Sequence, residues 1–400
     1  MKIAVFSDNF SPELSGISDS LIEQARELSS LGDEITFCVP FYSAKDYAIV
    51  HLPNKELSLG YNVTVQRLFS LPYPAPTKQG RMIIPSFFHW LTLRKQKPDI
   101  IHTHLFFGAG LEALAAKFFL KRPLIGTSHT PLIEFLAYSP FRAPFLRKIA
   151  LRYVSWYYNH CDFVTAPSQG ILDEMKQYGF HRPCRVMSNP IDLDHFFPVS
   201  EGEQRDLKNT FHLNNSFVIL YTGRLAVEKH IDDILQAVAL LKEKIPTLAL
   251  AITGHGDAET SLRALAHELD ITERVHFLGT VSQADHARIY RASDVFAILS
   301  TAETQSLSMM KAMATGIPVI GARARGLAEY IKDDDNGYLV EPRDSQSLAD
   351  KIFFLYHHPE ERIRLGQGGV ATVAQFSRTK IAEEWKRLYQ KVMSPTTAKK

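Results

Sequence analysis

Short apolar runs alternate with amphipathic stretches and polar loops along the whole chain. The runs 2–7 and 34–39 predict strands, because each is a few residues long and lies between polar or glycine positions. Between them, Leu21, Ala25 and Leu28 recur at spacings of four and three residues, which predicts a helix. One strand–helix–strand unit therefore opens the chain.

The same unit returns further along, most regularly in the second half. Apolar runs, each followed by a short loop, occupy residues 218–221, 248–252, 275–278 and 295–299. Repeats of strand, short loop and helix are typical of a parallel sheet with helices on both faces. We therefore predict an α/β fold of two doubly wound, Rossmann-like sheets in tandem, with ligand bound between them.

A polar stretch sets the predicted domain limits. Acidic and proline residues interrupt the strand–helix pattern over 191–205, which favours a boundary there. We predict a first domain over 1–195 and a second over 196–376. An amphipathic helix over 377–393 is predicted to pack back on the first domain, and the tail 394–400 is predicted to be disordered.

The composition is that of a folded globular protein. Hydrophobic residues make up 45% of the 400 residues and charged residues 22%, which excludes a largely disordered chain. The 45 lysines and arginines balance 43 acidic residues, and the three cysteines lack the spacing of a metal site or disulfide framework. We see no apolar run of the roughly 18 residues that span a bilayer, and no signal peptide. We expect a cytoplasmic location, either free or on the cytosolic face of a membrane.

Three loops that follow predicted strands of the second half carry candidate chemistry. They contain Gly223 and Arg224 with Lys229 nearby, Gly254, and the stretch 303–306. Such loops meet at the carboxyl edge of the sheet, where doubly wound folds bind ligands. Two cations beside backbone N–H groups suit a diphosphate, although each motif alone is also typical of solvated cations or of a tight turn.

The order of these loops and of further motifs carries a family resemblance. In the second half the motifs are residues 293–300, Glu303, residues 310–319, Gly326 with Glu329, and Asn336-Gly337. In the first half they are residues 12–16, His102-Thr103-His104, Ser128-His129-Thr130, Ala166-Pro167-Ser168 and residues 189–192. Over about residues 1–393 the sequence resembles the GT-B glycosyltransferases, and more narrowly the retaining nucleotide-sugar transferases of glycosyltransferase family 4.

The resemblance implies roles for the matching residues of the donor site. Arg224 and Lys229 would hold the donor diphosphate, and Glu303 would face the donor sugar. Backbone N–H groups of Ser306 and Leu307 would bind the distal phosphate at a helix N-terminus, where the helix dipole favours negative charge. The remaining donor-binding candidates of the second half are Gly223, Gly254, Thr304, Gln305 and Lys311.

In the first half the resemblance implies that His129 lies beside the transferred sugar. Gly16 would lie in the loop that closes over the diphosphate, where a side chain would block the approach of the backbone. The predicted catalytic residues are His129, Glu303, Arg224 and Lys229. His102 and His104 have the spacing of metal ligands or of packed residues at a strand end, and no third ligand is evident. Members of the family work without a bound metal, so we expect none.

A few positions depart from the family pattern. The family has a second glutamate eight positions after Glu303, where this sequence has Lys311. That glutamate generally accepts hydrogen bonds from the donor ribose hydroxyls, which a lysine cannot do, so the nucleotide contacts must differ here. Ser15 and Ser306 stand where many relatives have glycine, but only backbone groups are needed at Ser306.

Two stretches of the first half, 57–98 and 135–161, are basic, aromatic and free of acidic residues. The candidate residues for membrane or acceptor contact are Arg142, Arg147, Lys148, Arg152 and Trp156. In the second stretch we expect one helix face with Ile149, Tyr153 and Tyr157, and another with Lys148, Arg152 and Ser155. A basic amphipathic helix with aromatic residues suits an anionic membrane surface, and a core helix with a solvated face is the alternative.

The resemblance predicts a retaining, metal-independent hexosyltransferase without a bound cofactor. Residues 302–305 and the basic stretches look most like the glycolipid synthases that glucosylate diacylglycerol, and next like phosphatidylinositol mannosyltransferases. We therefore expect glucose from UDP-glucose to be moved to a lipid such as diacylglycerol by front-face attack, on the inner face of the cell membrane. The alternatives are a soluble or polysaccharide acceptor, a GDP-mannose donor, a nucleotide-sugar epimerase and a non-catalytic binding protein. We expect no nucleic-acid partner.

Overall fold

The computed structural model describes residues 1–13, 15–50, 52–73, 79–129 and 144–394. Of Pro144, Leu146, Arg147 and Gln283 only the backbone is described. The first of two compact units runs from Met1 to Pro190 and includes the C-terminal segment from Arg378, and the second runs from Ile191 to Ser377. The candidate residue Arg142 and the part of the predicted disordered tail after Ser394 lie outside the described residues.

A parallel sheet forms the centre of the first unit. The strands of this unit are β1 Lys2–Phe6, β2 Glu34–Pro40, β3 Val63–Leu68, β4 Ser70–Pro72, β5 Arg81–Ile83, β6 Ile100–Thr103, β7 Leu124–Thr127, β8 Phe163–Ala166 and β9 Cys184–Val186. Within the described ranges, seven of them pair in parallel in the order β3-β2-β1-β6-β7-β8-β9, and β4 and β5 form a separate antiparallel hairpin. The sheet changes direction between β1 and β6, which makes their carboxyl ends the switch point of this unit.

Helices lie between the strands of this first sheet. They are α1 Gly16–Ser30, α2 Ala44–Ile49, α3 Trp90–Gln96, α4 Gly108–Leu120, α5 Pro144–Asn159 and α6 Gln169–Gln177. Helix α1 begins after the cap residue Ser15, whose Oγ accepts a hydrogen bond from the Ser18 amide at 3.1 Å. Its predicted apolar stripe of Leu21, Ala25 and Leu28 is buried.

The C-terminal helix, Arg378–Met393, belongs to the first unit. Trp385, Leu388 and Tyr389 lie on its buried face. Tyr389 Oη accepts a hydrogen bond from Gln24 Nε2 of α1 at 3.3 Å. The helix therefore closes the core of the first unit rather than that of the unit that precedes it in the sequence.

The second unit is built in the same way around its own parallel sheet. Its strands are β10 Phe217–Thr222, β11 Leu248–Thr253, β12 Val275–Gly279, β13 Val295–Ile298, β14 Val319–Ala322 and β15 Gly337–Val340. Its helices are α7 Glu201–Thr210, α8 Ile231–Leu241, α9 Glu259–Glu268, α10 Gln283–Arg291, α11 Leu307–Ala314, α12 Arg325–Tyr330, α13 Ser345–His357 and α14 Pro359–Val373. The strand order β12-β11-β10-β13-β14-β15 puts the switch point between β10 and β13.

Burial explains why the strands of the second sheet are almost continuously apolar. Every residue of β10, β11 and β13 is buried, as expected for central strands with helices on both faces. The predicted α/β fold with two doubly wound parallel sheets is confirmed. Among the helices of the described ranges, none combines the length and the apolar character needed to cross a bilayer.

Candidate active site

The carboxyl ends of β10 and β13 bring two of the predicted donor loops together. Strand β10 ends at Thr222 and is followed by Gly223 and Arg224, and β13 ends at Ile298 and is followed by the loop that contains Glu303. Because the two strands are neighbours at the switch point, both loops leave the sheet at the edge where doubly wound folds bind ligands.

Two glycines let the loops of this edge touch through their backbones. Gly254, after β11, has a φ of 116°, and a Cβ at this position would clash with the carbonyl oxygen of Gly223. A Cβ on Gly326 would clash with the carbonyl oxygen of Thr304, and the Gly326 amide donates to the carbonyl of Glu303 at 3.1 Å. The backbone course of the donor loops therefore depends on glycine at both positions.

Both predicted phosphate-binding cations form ion pairs with carboxylates. Lys229 Nζ lies 2.6 Å from Oε1 of Glu303, and Arg224 Nη2 lies 2.6 Å from Oε1 of Glu228. All four side chains remain partly exposed. An anion that binds these cations must therefore compete with two carboxylates that already hold them in place.

Helix α11 begins directly after this charged group. Its cap residue is Ser306, whose Oγ accepts a hydrogen bond from the Met309 amide at 3.3 Å. Gln305 and Ser306 are buried, whereas Thr304 and Leu307 are partly exposed. The first amides of a helix lack acceptors within the helix and favour an anion, so the start of α11 suits a phosphate.

Lys311 lies on α11 and contacts aromatic side chains. Its Nζ is 5.3 Å from the centre of the Phe196 ring. His286 lies edge-on to the same ring at 5.5 Å. Burial and the charge of Lys311 lower the pKa of His286 to about 3. The lysine therefore lies over an aromatic ring that has a neutral imidazole at its edge.

In the first unit the histidines at the ends of β6 and β7 form a group in which His102 and His104 are buried and His129 is partly exposed. His104 Nδ1 lies 2.9 Å from His129 Nε2, so one of the two rings donates a hydrogen bond to the other. His102 bonds on both sides, to Tyr389 Oη at 2.8 Å and to Thr127 Oγ1 at 2.7 Å. Both ring nitrogens of His102 are thus engaged by hydroxyl groups, which makes it a packed residue rather than a metal ligand.

These histidines are neutral at neutral pH. Desolvation lowers the pKa of His129 to about 4, and desolvation together with His129 lowers that of His102 to about 3. Burial also lowers the pKa of His104. A neutral His129 can accept or donate one hydrogen bond at each ring nitrogen.

Two buried carboxyl groups lie in the segment after β1. Asp8 Oδ1 accepts a hydrogen bond from the Ala109 amide near the start of α4 at 3.0 Å. Burial raises the pKa of Asp8 to about 7, and the charge of Glu13 adds to this effect. Glu13 accepts a hydrogen bond from Tyr42 Oη at 2.9 Å. The predicted residue Gly16 is the first residue of α1, directly after this segment.

The basic helix α5 presents a different face from the predicted one. Ser155 is buried and Ile149 is 58% exposed, so the predicted grouping of these two residues is wrong. The packed face is set by Leu151, Val154 and Tyr158, at spacings of three and four residues, which rotates the helix relative to the prediction.

The exposed side of α5 includes the candidate membrane-contact residues Lys148, Arg152 and Trp156. Trp156 is 47% exposed and stacks on Tyr153 with ring centres 5.8 Å apart. The side chain of Arg147 lies outside the described part of the chain. Two exposed cations and an exposed tryptophan therefore lie along this side of α5.

One group of described side chains has the composition of a metal site. Ligand atoms of His230, Asp232 and Asp233 lie within 4.8 Å of one another. Arg343 Nη1 donates a hydrogen bond to each of the three side chains, at 2.9–3.0 Å. The guanidinium group pairs with both carboxylates, so the arrangement is an ion-pair network.

Sequence reasoning missed several residues of these groups. Glu228 was not predicted, although an acid four positions after Arg224 is a signal for an ion pair. Asp8 lies two residues after the end of β1, at the carboxyl edge of the sheet, and could have been selected by that position alone. Tyr389 had no such signal, because its contact with His102 joins residues 287 positions apart.

Comparisons with known proteins cover both units. Residues 14–195 match the family described as Glycosyltransferase Family 4, and residues 203–371 match the family described as Glycosyl transferases group 1. The putative glycosyltransferase EpsD of Bacillus subtilis is 29% identical over 316 residues, which are 76% of this chain and 79% of that protein. The alpha-monoglucosyldiacylglycerol synthase of Acholeplasma laidlawii is 24% identical over 398 residues, covering 97% of this chain and 96% of that protein.

A solved structure shares the fold. The crystal structure of HepE from Anabaena in complex with UDP-glucose matches with a TM-score of 0.75 and 21% identity, covering 98% of this chain and 100% of the other. At this identity the likeness shows a common fold, and the ligand named with that structure is a property of that protein.

Proposed function

Since this chain belongs to the group 1 and family 4 glycosyltransferases, we propose that it transfers glucose from UDP-glucose to a hydroxyl group of a membrane lipid, with diacylglycerol as the favoured acceptor. The GT-B fold predicted from the sequence is confirmed. The observation that carries the proposal is the meeting of Arg224, Lys229, Glu303 and the start of α11 at one switch point.

Charge complementarity supports a nucleoside diphosphate sugar as the donor. Arg224 and Lys229 would take two of the diphosphate oxygens, and the amides of Ser306 and Leu307 would take the distal phosphate. Departure of the diphosphate builds up negative charge, which these cations and amides stabilise as it develops. UDP-glucose is favoured because it is named with the HepE complex. Lys311, which replaces the acid expected at the ribose, gives no preference for one nucleotide base.

Donor binding would break the ion pair between Lys229 and Glu303, and this gives the Glu303 carboxylate a role in donor binding. When a phosphate takes the ammonium group, the carboxylate becomes a free acceptor for sugar hydroxyls. We propose the same exchange for Arg224 and Glu228. Retention by front-face attack needs no enzymic nucleophile, because the acceptor hydroxyl attacks the sugar on the face from which the diphosphate leaves. The leaving phosphate accepts the proton of that hydroxyl.

His129 is proposed to contribute to transfer as a neutral ring. Its lowered pKa excludes a permanent positive charge near neutral pH, so it would serve as a hydrogen-bond partner for a hydroxyl group. Gly254, Thr304, Gln305 and Gly223 shape the donor loops, and Gly16 starts the helix after the segment predicted to close over the diphosphate.

The lipid acceptor is supported by the relative from Acholeplasma laidlawii and by α5. That relative is named for glucosylation of diacylglycerol and is aligned along nearly the whole chain. Lys148, Arg152 and Trp156 offer two cations and an aromatic ring for an anionic membrane. We propose peripheral attachment on the cytosolic face of the cell membrane.

The test is incubation with a panel of radiolabelled nucleotide sugars and total membrane lipid, followed by extraction into organic solvent. The expected result is labelled glycolipid from UDP-glucose, unchanged when EDTA is present. Label that becomes a product but stays in the aqueous phase would indicate a soluble acceptor instead. An epimerised nucleotide sugar, or a donor that is bound but not consumed, would contradict transfer altogether.

A further inference from the structure

Exposed apolar side chains are concentrated in one part of the first unit, around the hairpin β4–β5. We call this set the apolar cluster. Its members are exposed over 37–76% of their surface and are Phe69, Leu71, Met82, Ile84, Phe87, Phe88, Leu91 and Phe118. A soluble monomer rarely exposes so many large apolar residues together, and such groups mark contact surfaces.

The hairpin contributes an outward face that is wholly apolar. In its register Leu71 lies opposite Met82, and Ser70 lies opposite Ile83. Ser70 and Ile83 are buried, whereas Leu71 and Met82 are 46% and 45% exposed. Because side chains alternate along a strand, one face of the ribbon packs on the unit and the other points away from it. An outward face of an antiparallel ribbon is ordinarily polar.

The loop after the hairpin is held so that it displays two phenylalanines. Glu112 Oε1 of α4 accepts hydrogen bonds from the Phe87 amide at 2.8 Å and from Ser86 Oγ at 3.0 Å. Burial alone would raise the pKa of Glu112, but hydrogen bonds from His89, Phe87 and Ser86 lower it to about 2, so the acceptor stays charged. Phe87 adopts a φ of 63°, which is rare for a bulky residue.

Aromatic packing joins α3 to the end of α4. Trp90 of α3 stacks on Phe119 of α4 with ring centres 4.6 Å apart, and Phe119 lies edge-on to Phe118 at 5.2 Å. Phe118 therefore belongs to an aromatic contact that joins α4 to α3, the helix that follows Phe87 and Phe88 in the chain.

Cations border the apolar cluster. Arg94 and Lys95 follow Leu91 by three and four positions, which places all three on one face of α3. Lys121 and Arg122 follow Phe118 at the end of α4 and are exposed. Within the described ranges, no ion pair involves Arg94, Lys95, Lys97, Lys121 or Arg122, and the stretch 57–98 contains no acidic residue. The cluster therefore has a border that complements an anionic surface.

We propose that the apolar cluster inserts into the interface of an anionic lipid bilayer, with the bordering cations on the lipid phosphates. This inference rests on the proposed function, since a transferase that acts on a lipid must reach the bilayer. It adds an apolar mode of membrane attachment to the electrostatic attachment proposed for α5. Apolar insertion is not screened by salt, whereas attraction between exposed charges is. Attachment should therefore persist in part at high salt.

The test compares two matched double variants in vesicle co-sedimentation. Leu71→Ser/Phe88→Ser removes two exposed members of the cluster, and Leu240→Ser/Ile363→Ser removes two residues of the second unit that are 44% and 56% exposed. Vesicles of equal phosphatidylglycerol and phosphatidylcholine are used at low and high salt. We expect the cluster variant to lose about tenfold in partitioning at high salt, while the control variant binds like the parent.

Three outcomes would overturn the inference or separate it from the proposed function. Equal vesicle binding of the cluster variant and the parent at high salt overturns it. The experiment is repeated with the single variant Met82→Ser, so that a folding defect of the double variant is not mistaken for a loss of binding. Light scattering tests whether the parent associates with itself. If it does, if the cluster variant does not, and if neither binds vesicles, the inference is overturned, and a second copy of the chain is the partner of the apolar cluster. Vesicle binding through the cluster without glycolipid synthesis would contradict the proposed function and leave the inference standing.

Discussion

Lys229 and Glu303 form a direct ion pair, with Nζ and Oε1 2.6 Å apart, although they lie 74 positions apart in the sequence. Lys229 ends a short 3₁₀ turn, Val227–Lys229, and Glu303 precedes α11. The pair therefore joins the loops that leave β10 and β13. In the proposed function, a diphosphate displaces the carboxylate from the lysine and frees it for the sugar, so donor binding breaks one ion pair and forms another.

Loss of either cation should slow transfer far more than it weakens the fold. We expect Lys229→Ala and Arg224→Ala each to lower kcat by about 10²- to 10³-fold, because each removes a charge that stabilises the departing diphosphate. The measurement is steady-state release of UDP from UDP-glucose in the presence of lipid.

Lys242→Ala is the matched control for these variants. Lys242 forms an ion pair with Asp270 at 3.1 Å in the same unit, away from the switch point. An exposed pair of this kind contributes little to stability, so kcat should stay at the parent value. If Lys229→Ala also kept the parent kcat, the ion pair with Glu303 would be structural only.

Lys311 should determine part of the nucleotide preference. We expect Lys311→Glu to change the relative affinities for UDP, GDP and ADP, because a carboxylate accepts hydrogen bonds from ribose hydroxyls and the ammonium group cannot. Isothermal titration of the three nucleotides with both proteins measures this change. Identical affinities would mean that Lys311 does not contact the nucleotide and interacts only with Phe196 and His286.

The sequence predicted the fold well because its main signals are local. Apolar runs and helical stripes are set by the spacing of neighbouring residues, and the stripe of Leu21, Ala25 and Leu28 is buried as predicted. Glycine loops at strand ends likewise identify a ligand-binding edge in any doubly wound sheet. The grouping of Arg224 and Glu303 follows from that rule alone.

Other features depend on packing between distant segments and have no local signal. The rotation of α5 is set by what Leu151 and Val154 contact, so the spacing of apolar residues within the helix placed Ile149 on the wrong face. Phe87 and Phe88 lie in the basic, aromatic stretch 57–98, but no local signal says which apolar residues of that stretch are exposed. Only the register of β4 with β5 shows that Leu71 points away from the packed side.

Gly254 should be essential to the donor loops. We expect Gly254→Ala to weaken UDP binding strongly, because its φ of 116° is unfavourable for alanine and the new Cβ would meet the backbone of Gly223. Gly202→Ala is the control, since a Cβ there meets only Ser200 Oγ, at 3.9 Å, and alanine suits a helix. Titration of UDP into both variants gives the comparison. Equal affinities would show that the loop after β11 adapts freely.

Salt should separate the two proposed modes of membrane attachment. We expect Lys148→Gln/Arg152→Gln to lower binding to anionic vesicles at low salt and to have little effect at high salt, where the charge interaction is screened. Lys176→Gln/Lys242→Gln, which removes cations that already pair with Asp173 and Asp270, is the control of equal charge change. Parent-like sedimentation of the first variant at low salt would make α5 an ordinary packed helix and favour a soluble acceptor.

Asp8 should make the stability of the first unit depend on pH. Its pKa is raised to about 7 in the folded protein by burial and by Glu13, against 3.8 for the free side chain. Between these two values the unfolded chain has lost the proton that the folded chain keeps, so the folded state loses stability as pH rises from about 4 to 7. The slope for one group is at most about 1.4 kcal/mol per pH unit.

Asp8→Asn removes this dependence and keeps an oxygen that can accept from the Ala109 amide. All three tryptophans, Trp90, Trp156 and Trp385, belong to the first unit, so urea unfolding followed by tryptophan fluorescence reports that unit alone. The stability of the variant relative to the parent should rise from pH 4.5 to pH 7, and other titrating groups cancel in the difference. Asp173→Asn should show little change over this range, because hydrogen bonds from Lys176 and Gln169 lower the pKa of that exposed carboxyl group, which is therefore ionised in both the folded and the unfolded chain above about pH 4. A difference for Asp8→Asn that does not change with pH would mean that this buried carboxyl group ionises as readily as in the unfolded chain.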